Sequence, residues 1–563
     1  MNDMTPDSAL GLSAPGRILP DSALGPGKLA RPSAARDLYD LASIGLLGVL
    51  GVLVLMTFRS YGVTNDEWVQ QRYGELIIDY YRSGLIDRAL FSFDNLYLYG
   101  GLFDVAATLL HKISSLELFE LRHLLSAACG VAGIGAAIAT ARLISGPRAG
   151  LLAGVALAVC GFWYGAMFHH TKDVPLAAAM AGALYFLIRA TRDCPKPQLR
   201  HLIGFGLLTG CALGIKVLGL LLVCYVPVAI VLNGPVPTSG AGWRDSAAFA
   251  GRSLLAFLPA LLIAYAIMLI TWPWSALAPL NPIRGLVSFG DFHYAIRTML
   301  AGQVYEMATV PRWYIPTYLL IKTPIVVLAG AAISLLWLLW PRLLGDGDAR
   351  RRREAAIVAL AVVFPVACEI TAHGPAFSGM RHFMFVLPPL SVLAGIGLDG
   401  LLRAATRVSA ALGAAALAVI VAALSWNAAT LIRLHPYQYL FYNPLAGGLQ
   451  GASRRYVMDY WFTAMPEAVT RLERYIARTD PPDARGRIYT VAVCGPRDSF
   501  LHLRPPNLRW AQVWETADFF IAPTHMNCDQ DIQAKVAATV SRLGVPIAYV
   551  KDQRAKTRPG EAP

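Results

Sequence analysis

A few short stretches of this 563-residue chain hold the residue types that could do chemistry. Adjacent carboxylates stand at Asp66 and Glu67, within Thr64-Asn65-Asp66-Glu67-Trp68. A cation next to a carboxylate follows in His169-His170-Thr171-Lys172-Asp173-Val174-Pro175. Lys216 interrupts an apolar run, and Arg312-Trp313 and Arg381-His382 each stand just ahead of another. An aspartate in the first turn of a helix is held ionised and ready to accept a proton. Lysine and arginine near a helix start suit phosphate oxygens, arginine as a two-pronged fork. Each stretch also has a purely structural reading. Thr64 or Asn65 can cap a helix whose first turn favours acidic residues, Lys172 can snorkel to an interface, and arginine beside tryptophan is a common anchor. The neighbouring histidines need a special backbone to converge on one ion, and no tetrahedral ligand set is evident. A divalent metal is compatible with the carboxylates but not indicated, so no metal ligand and no cofactor are assigned.

The elements that must position these residues are membrane spans. Hydrophobic residues make up 56% of the chain and charged residues only 15%, against about a quarter charged in soluble domains. Apolar residues gather in unbroken runs of membrane length, near 39–58, 122–143, 149–167, 174–190, 202–232, 253–271, 314–340, 355–371, 383–403 and 409–430. The run at 202–232 is long for one crossing and carries Lys216 near its middle. If it crosses twice as a tight pair, every arginine-bearing short segment falls on one side; if once, Arg350 to Arg353 are forced outside against the positive-inside rule. The expected architecture is therefore an all-α polytopic bundle of about eleven spans, with the amino terminus inside and the carboxy terminus outside. The net charge of +13 is read as topology-setting arginine, not as a nucleic-acid surface.

Residues 1–36, rich in Pro, Gly, Ala and Ser and repeating PDSALG, are expected to be a disordered cytoplasmic tail without a cleavable leader. Residues 37–430 then form the bundle, with three long outer segments: 59–121, 272–313 and everything after 431. In the first of these, Tyr73, Leu76, Ile77, Tyr80 and Tyr81 recur at helical spacing, as do Leu102, Phe103, Ala106, Leu109 and Leu110, which predicts two interfacial helices. Residues 431–563 read as a small α/β domain. Its expected helices are MPEAVTRLERYIART and DQDIQAKVAATVSRL, and its strands RIYTVAVC, DFFIAP and PIAYV. Cys494 and Cys528 lie near strand ends, either as a disulfide or as two free thiols.

On this arrangement Asp66, Glu67, His170, Lys172, Asp173, Lys216, Arg312, Arg381 and His382 all face the outer side. Together they resemble the GT-C class of polytopic glycosyltransferases, in particular bacterial relatives of protein O-mannosyltransferases and of the lipid A aminoarabinose transferase. The resemblance rests on Asp66-Glu67 in the first outer loop, on HTKDVPLAAAMAGALYF, and on the blocks RWYIPTYLLIKTP, GMRHFMFVLPPLSVLAG and HPYQYLFYNPLAGG, between about Asp40 and Trp461. It implies a sugar donor on polyprenyl phosphate, with Asp66 deprotonating the acceptor and Glu67 orienting the site. Inverting transfer needs one base and, at the phosphate, cations more than a proton donor; Lys172 and Arg381 suit that task, with Asp173, His170, Lys216, Arg312 and His382 as further substrate-binding candidates. The loop at 272–313 is too short for the domain inserted there in eukaryotic members, and 451–563 does not match the extra domain of the aminoarabinose transferase. The acceptor (glycan, lipid or protein) is left open, and the implied location is a bacterial inner membrane with a periplasmic site. A transporter or flippase would also account for many spans around a buried lysine, but no inverted repeat is evident and the polar residues gather on one face.

Overall fold

Inside a bilayer the backbone finds no water, so long apolar runs satisfy their donors and acceptors as helices. The computed structural model describes residues 34–557 except 236–241, 291–295, 345–347, 375, 482–485 and 504. The tail expectation at 1–33 lies outside the described residues, and the first helix, α1 (Ala34–Thr57), begins inside the stretch read as tail. Two helices follow in the first outer segment, α2 (Asn65–Arg82) and α3 (Leu102–His111), as the periodicity predicts. The bundle continues with α4 (Leu118–Ser145), α5 (Pro147–Ala158), α6 (Gly161–His169) and α7 (Asp173–Arg192). Next come α8 (Leu199–Leu213), α9 (Leu220–Asn233), α10 (Trp243–Ala256) and α11 (Leu258–Thr271).

The segment at 272–313 holds α12 (Pro273–Leu277), α13 (Asn281–Gly290) and a hairpin of β1 (Arg297–Leu300) and β2 (Gln303–Glu306). The last bundle helices are α14 (Tyr314–Lys322), α15 (Ile325–Leu339), α16 (Ala349–Ala372), α17 (Leu387–Val408) and α18 (Ala410–Leu434). Among the described residues seven helices are long and apolar enough to cross a membrane, or nine if each of two bent pairs counts as one span. The chain is a multi-pass helical membrane protein. The expected eleven also counts α8 and α9, which flank Lys216 and are too short to qualify on length.

Both bends fall within runs read as single spans. The chain turns by 65° between α5 and α6 and by 116° between α14 and α15. Thr323 is extended because the ring of Pro324 disfavours helical backbone at the residue before it. At the centre of the bundle α17 is buried along almost its whole length between α5 and α15. Its Gly397 lets the helix backbones touch: a Cβ there would sit 1.9 Å from the carbonyl oxygen of Gly330.

After α18 the chain packs a short loop and α19 (Gly448–Ala452) against the bundle, then builds a five-stranded sheet of order β4-β3-β5-β7-β6. The strands β3 (Tyr489–Val493), β4 (Leu508–Trp510) and β5 (Phe519–Pro523) are parallel, while β6 (Lys535–Arg542) and β7 (Val545–Asp552) add as an antiparallel hairpin. The helix α20 (Met465–Thr479) forms as expected and packs on this hairpin. The second expected helix does not form. Within 529–543 the chain is strand β6, because Val536, Thr539 and Val540 are β-branched and the turn at Leu543-Gly544, both at positive φ, folds the segment back onto β7. Cys494 and Cys528 are joined as a disulfide.

Candidate active site

The helix α2 starts with a reciprocal cap that sets the position of the first carboxylate. Glu67 accepts hydrogen bonds from the backbone N–H of Thr64 at 2.9 Å and from its hydroxyl at 3.1 Å. The second oxygen of Glu67 lies 3.1 Å from Nε2 of His123 on α4. Glu67 is fully buried, and its capping contacts hold the first turn of α2 in which Asp66 stands. Asp66, one residue earlier in the same first turn, points elsewhere.

Arg122 ties the neighbouring helices together. From α4 it donates to Gln71 of α2 at 3.2 Å, to Asp104 of α3 at 2.7 Å and to Thr171, before α7, at 3.3 Å. Thr171 in turn donates to Gln70 of α2 at 2.6 Å. The first turns of α2 and α7 are thereby brought side by side. A second set of bonds fixes the loop ahead of α3, where Gly100 and Leu102 donate to the carbonyls of Ile215 and Gly214 at 3.2 and 2.9 Å. That places Tyr99 beside both lysines, with Lys172 4.5 Å and Lys216 6.0 Å from its ring centre.

Arg381 is the hub where these elements meet. Its Nε donates to Asp173 at 2.9 Å and its Nη2 to Asp66, while the other oxygen of Asp173 accepts from Lys216. Lys172 lies 3.8 Å from the Asp66 oxygen that Arg381 also holds. The guanidinium of Arg381 stacks on Trp461, 4.3 Å from the ring centre. Asp173, Lys216 and Arg381 are buried, whereas the Asp66 side chain is 24% exposed and that of Lys172 11%. The cluster is closed at the bottom and open at its Asp66 rim. Burial alone would raise the Asp66 carboxyl, but Arg381 and Lys172 outweigh it and hold the group below the ordinary aspartate value.

The structure thus brings together Asp66, Lys172, Asp173, Lys216 and Arg381 from four separate parts of the chain. His170 joins them through a hydrogen bond from its Nε2 position to the hydroxyl of Tyr460, and His382 packs on Phe377 with no partner for its Nε2 among the described residues. Arg312 is not part of the cluster. It is exposed and donates to the carbonyls of Ile370 and Thr371 at 2.6 and 2.9 Å, at the end of α16. Its expected place at the phosphate gives way to capping, since the last carbonyls of a helix attract cations. Among the described residues no group of three His, Cys, Asp or Glu side chains could hold a metal ion.

Sequence reasoning missed Tyr99, Tyr460, Trp461 and the Arg122–Asp104 pair. The adjacent aromatics in MDYWF, in the stretch between α19 and α20, were the available signal for two of these residues. They reach the site because α6 lies flush on the loop after α18; a Cβ at Gly165 would stand 2.2 Å from the backbone nitrogen of Tyr439.

Chemically, the cluster holds three cations against two carboxylates in a largely dehydrated place. Such an excess invites an anion, and of the two carboxylates in the cluster Asp66 is the exposed one that could take a proton from an incoming hydroxyl.

None of the curated proteins matches the chain. Among solved structures it is similar to ArnT from Cupriavidus metallidurans bound to undecaprenyl phosphate, at 15% identity over 91% of this chain and 97% of that one, with a TM-score of 0.47. It is also similar to the oligosaccharyltransferase of Archaeoglobus fulgidus in the apo form, at 12% identity over 83% and 64% of the two chains and a TM-score of 0.46. A third is the arabinofuranosyltransferase AftD from Mycobacteria, at 12% identity over 91% and 40% and a TM-score of 0.40. The resemblance read from the motifs is borne out by a family match that covers part of the chain. Residues 102–274, which run from α3 into α12 and carry Lys172, Asp173 and Lys216, match the model of the dolichyl-phosphate-mannose-protein mannosyltransferase family.

Proposed function

We propose that the chain is an integral-membrane glycosyltransferase that moves a sugar from a polyprenyl-phosphate donor to an acceptor hydroxyl at the outer face of a bacterial inner membrane. The observation that carries this reading is the unequal charge of the buried cluster, three cations around Asp66 and Asp173, with Asp66 alone at the rim. In the reaction the acceptor oxygen attacks the anomeric carbon, its proton passes to Asp66, and the bond from that carbon to the phosphate oxygen breaks. One displacement inverts the anomeric configuration. The departing phosphate gains negative charge as it leaves, and Lys172, Lys216 and Arg381 stand where that charge would be neutralised. Asp173 holds the buried ends of Lys216 and Arg381 in place.

The family match over 102–274 supports a lipid-phosphate sugar donor. The disulfide between Cys494 and Cys528 supports an oxidising, periplasmic side for the terminal sheet, and hence a cytoplasmic amino terminus. Purified protein in detergent should release free polyprenyl phosphate from one member of a panel of synthetic polyprenyl-phosphate sugars, with water as a slow acceptor. Absence of both release and thermal stabilisation by every donor in the panel would sink the reading.

A further inference from the structure

A chain of hydrogen bonds runs from the paired histidines to Tyr460, beside the cluster. Nδ1 of His169 lies 3.0 Å from Nδ1 of His170, and Nε2 of His170 meets the hydroxyl of Tyr460. Both imidazoles are buried, and Nε2 of His169 has no hydrogen-bond partner among the described residues. That orphan atom decides which way the hydrogens point. Were the Tyr460 hydroxyl to donate to His170, then His170 would donate to His169 and leave a buried N–H of His169 with no acceptor, which folded proteins scarcely tolerate. In the opposite direction His169 donates to His170, His170 donates to the Tyr460 oxygen, and only a lone pair of His169 stays unmatched. An unmatched acceptor is the cheaper defect.

The consequence falls on Tyr460, because its oxygen is occupied as an acceptor and its hydrogen is left to donate elsewhere. The side chain is partly exposed, its neighbour Trp461 lies under Arg381, and the fields of Arg381, Asp173, Asp66 and Asp459 all reach its hydroxyl. Burial holds that hydroxyl well above the ordinary tyrosine range, against the pull of Arg381, so it stays protonated. Burial and Arg381 likewise keep His170 neutral, as the relay requires.

Building on the glycosyl-transfer reading, we infer that Tyr460 presents its hydroxyl hydrogen to a phosphate oxygen of the donor, with His169 and His170 as the positioning pair that fixes its direction. It adds a neutral donor to three cations and serves most as charge builds on the departing phosphate. Its effect therefore falls on turnover more than on binding.

The test measures kcat and KM for the donor that the wild type turns over in the panel, for Tyr460→Phe, His170→Gln and His170→Leu. Tyr460→Phe should lose about a hundredfold in kcat with KM within about threefold of wild type. His170→Gln, whose amide N–H can still donate to the Tyr460 oxygen, should lose clearly less kcat than His170→Leu, which should fall with Tyr460→Phe. The histidine pair reads the same hydroxyl if Tyr460→Phe proves unstable. Unchanged kcat in Tyr460→Phe, or equal loss in His170→Gln and His170→Leu, overturns the inference while the wild type still transfers sugar. A wild type that neither binds nor cleaves any donor overturns the function reading and this inference with it.

Discussion

The two ends of α7 carry the same pairing of acid and arginine but arrange it differently. At its last turn Arg192 grips Glu354 with two parallel bonds of 2.6 and 2.7 Å and donates a third to the carbonyl of Leu143 at 2.9 Å. At its first turn Asp173 shares Arg381 with Asp66 and takes Lys216 as well, with Lys172 standing by. Each end suits the helix dipole, acid at the start and base at the finish. The difference lies in closure. Arg192–Glu354 is balanced one to one and has nothing to offer a guest, so it holds helices together. The Asp173 end has one cation too many and an open rim, and that imbalance leaves room for an anionic guest.

The contrast predicts that mutations at the two ends fail in different ways. The largest effect should come from Asp66→Asn, which keeps the shape of the rim but removes the carboxylate: transfer should fall by about a thousandfold while the protein still inserts and folds. Near-normal turnover in this variant would remove Asp66 from the mechanism. Glu354→Ala should do the reverse, leaving Arg192 without its partner and costing about 3 kcal/mol of stability by denaturant titration, with little change in turnover of the protein that remains folded.

Lys172→Met comes next, with an expected tenfold or so rise in donor KM, equivalent to about 1.4 kcal/mol. It should also move the acid limb of the pH profile. Because the folded value for Asp66 lies below 3.8, the base stays ionised above that limit, and both its activity and its contribution to stability are lost only as pH falls through the depressed value. Without Lys172 the limb should shift to higher pH, and an unmoved limb would assign it to another group. The smallest effect should follow Glu67→Gln, where an amide oxygen can still cap Thr64: about 1 kcal/mol in stability and a few-fold in turnover. A loss as deep as that of Asp66→Asn would show that Glu67 takes part in the reaction itself.

Legibility in the sequence tracked the range of the interactions. Apolar runs and the helical spacing around Tyr73 and Leu102 are local, and α1, α2, α3, α4 and α7 appear where they predict. The gathering of Asp66, Lys172, Asp173, Lys216 and Arg381 was legible because topology alone sends those residues to one face. The bends before α6 and α15 were not, since hydropathy sees an unbroken apolar run and overlooks the extended backbone at Cys160 and what Pro324 does to Thr323. β6 was misread because its charges and small residues imitate a helix until its partner strand β7 is in place. Arg312 was misplaced because an arginine at the right face can still find carbonyls closer than the cluster. Tyr460 lies 290 residues from His170 with no periodicity to announce it.

That separation has a meaning for how the protein is made. Asp66 leaves the ribosome early, Lys172 and Lys216 follow within the first half of synthesis, and Tyr460 emerges only after α18. A nascent chain halted between Lys216 and the end of α18 carries Asp66 and at least two of the three cations but lacks the residue that His170 meets and the ring on which Arg381 rests. The site is therefore assembled last at its C-terminal corner, and a partly synthesised chain already in the membrane holds an unfinished centre until the final segment has folded back over it.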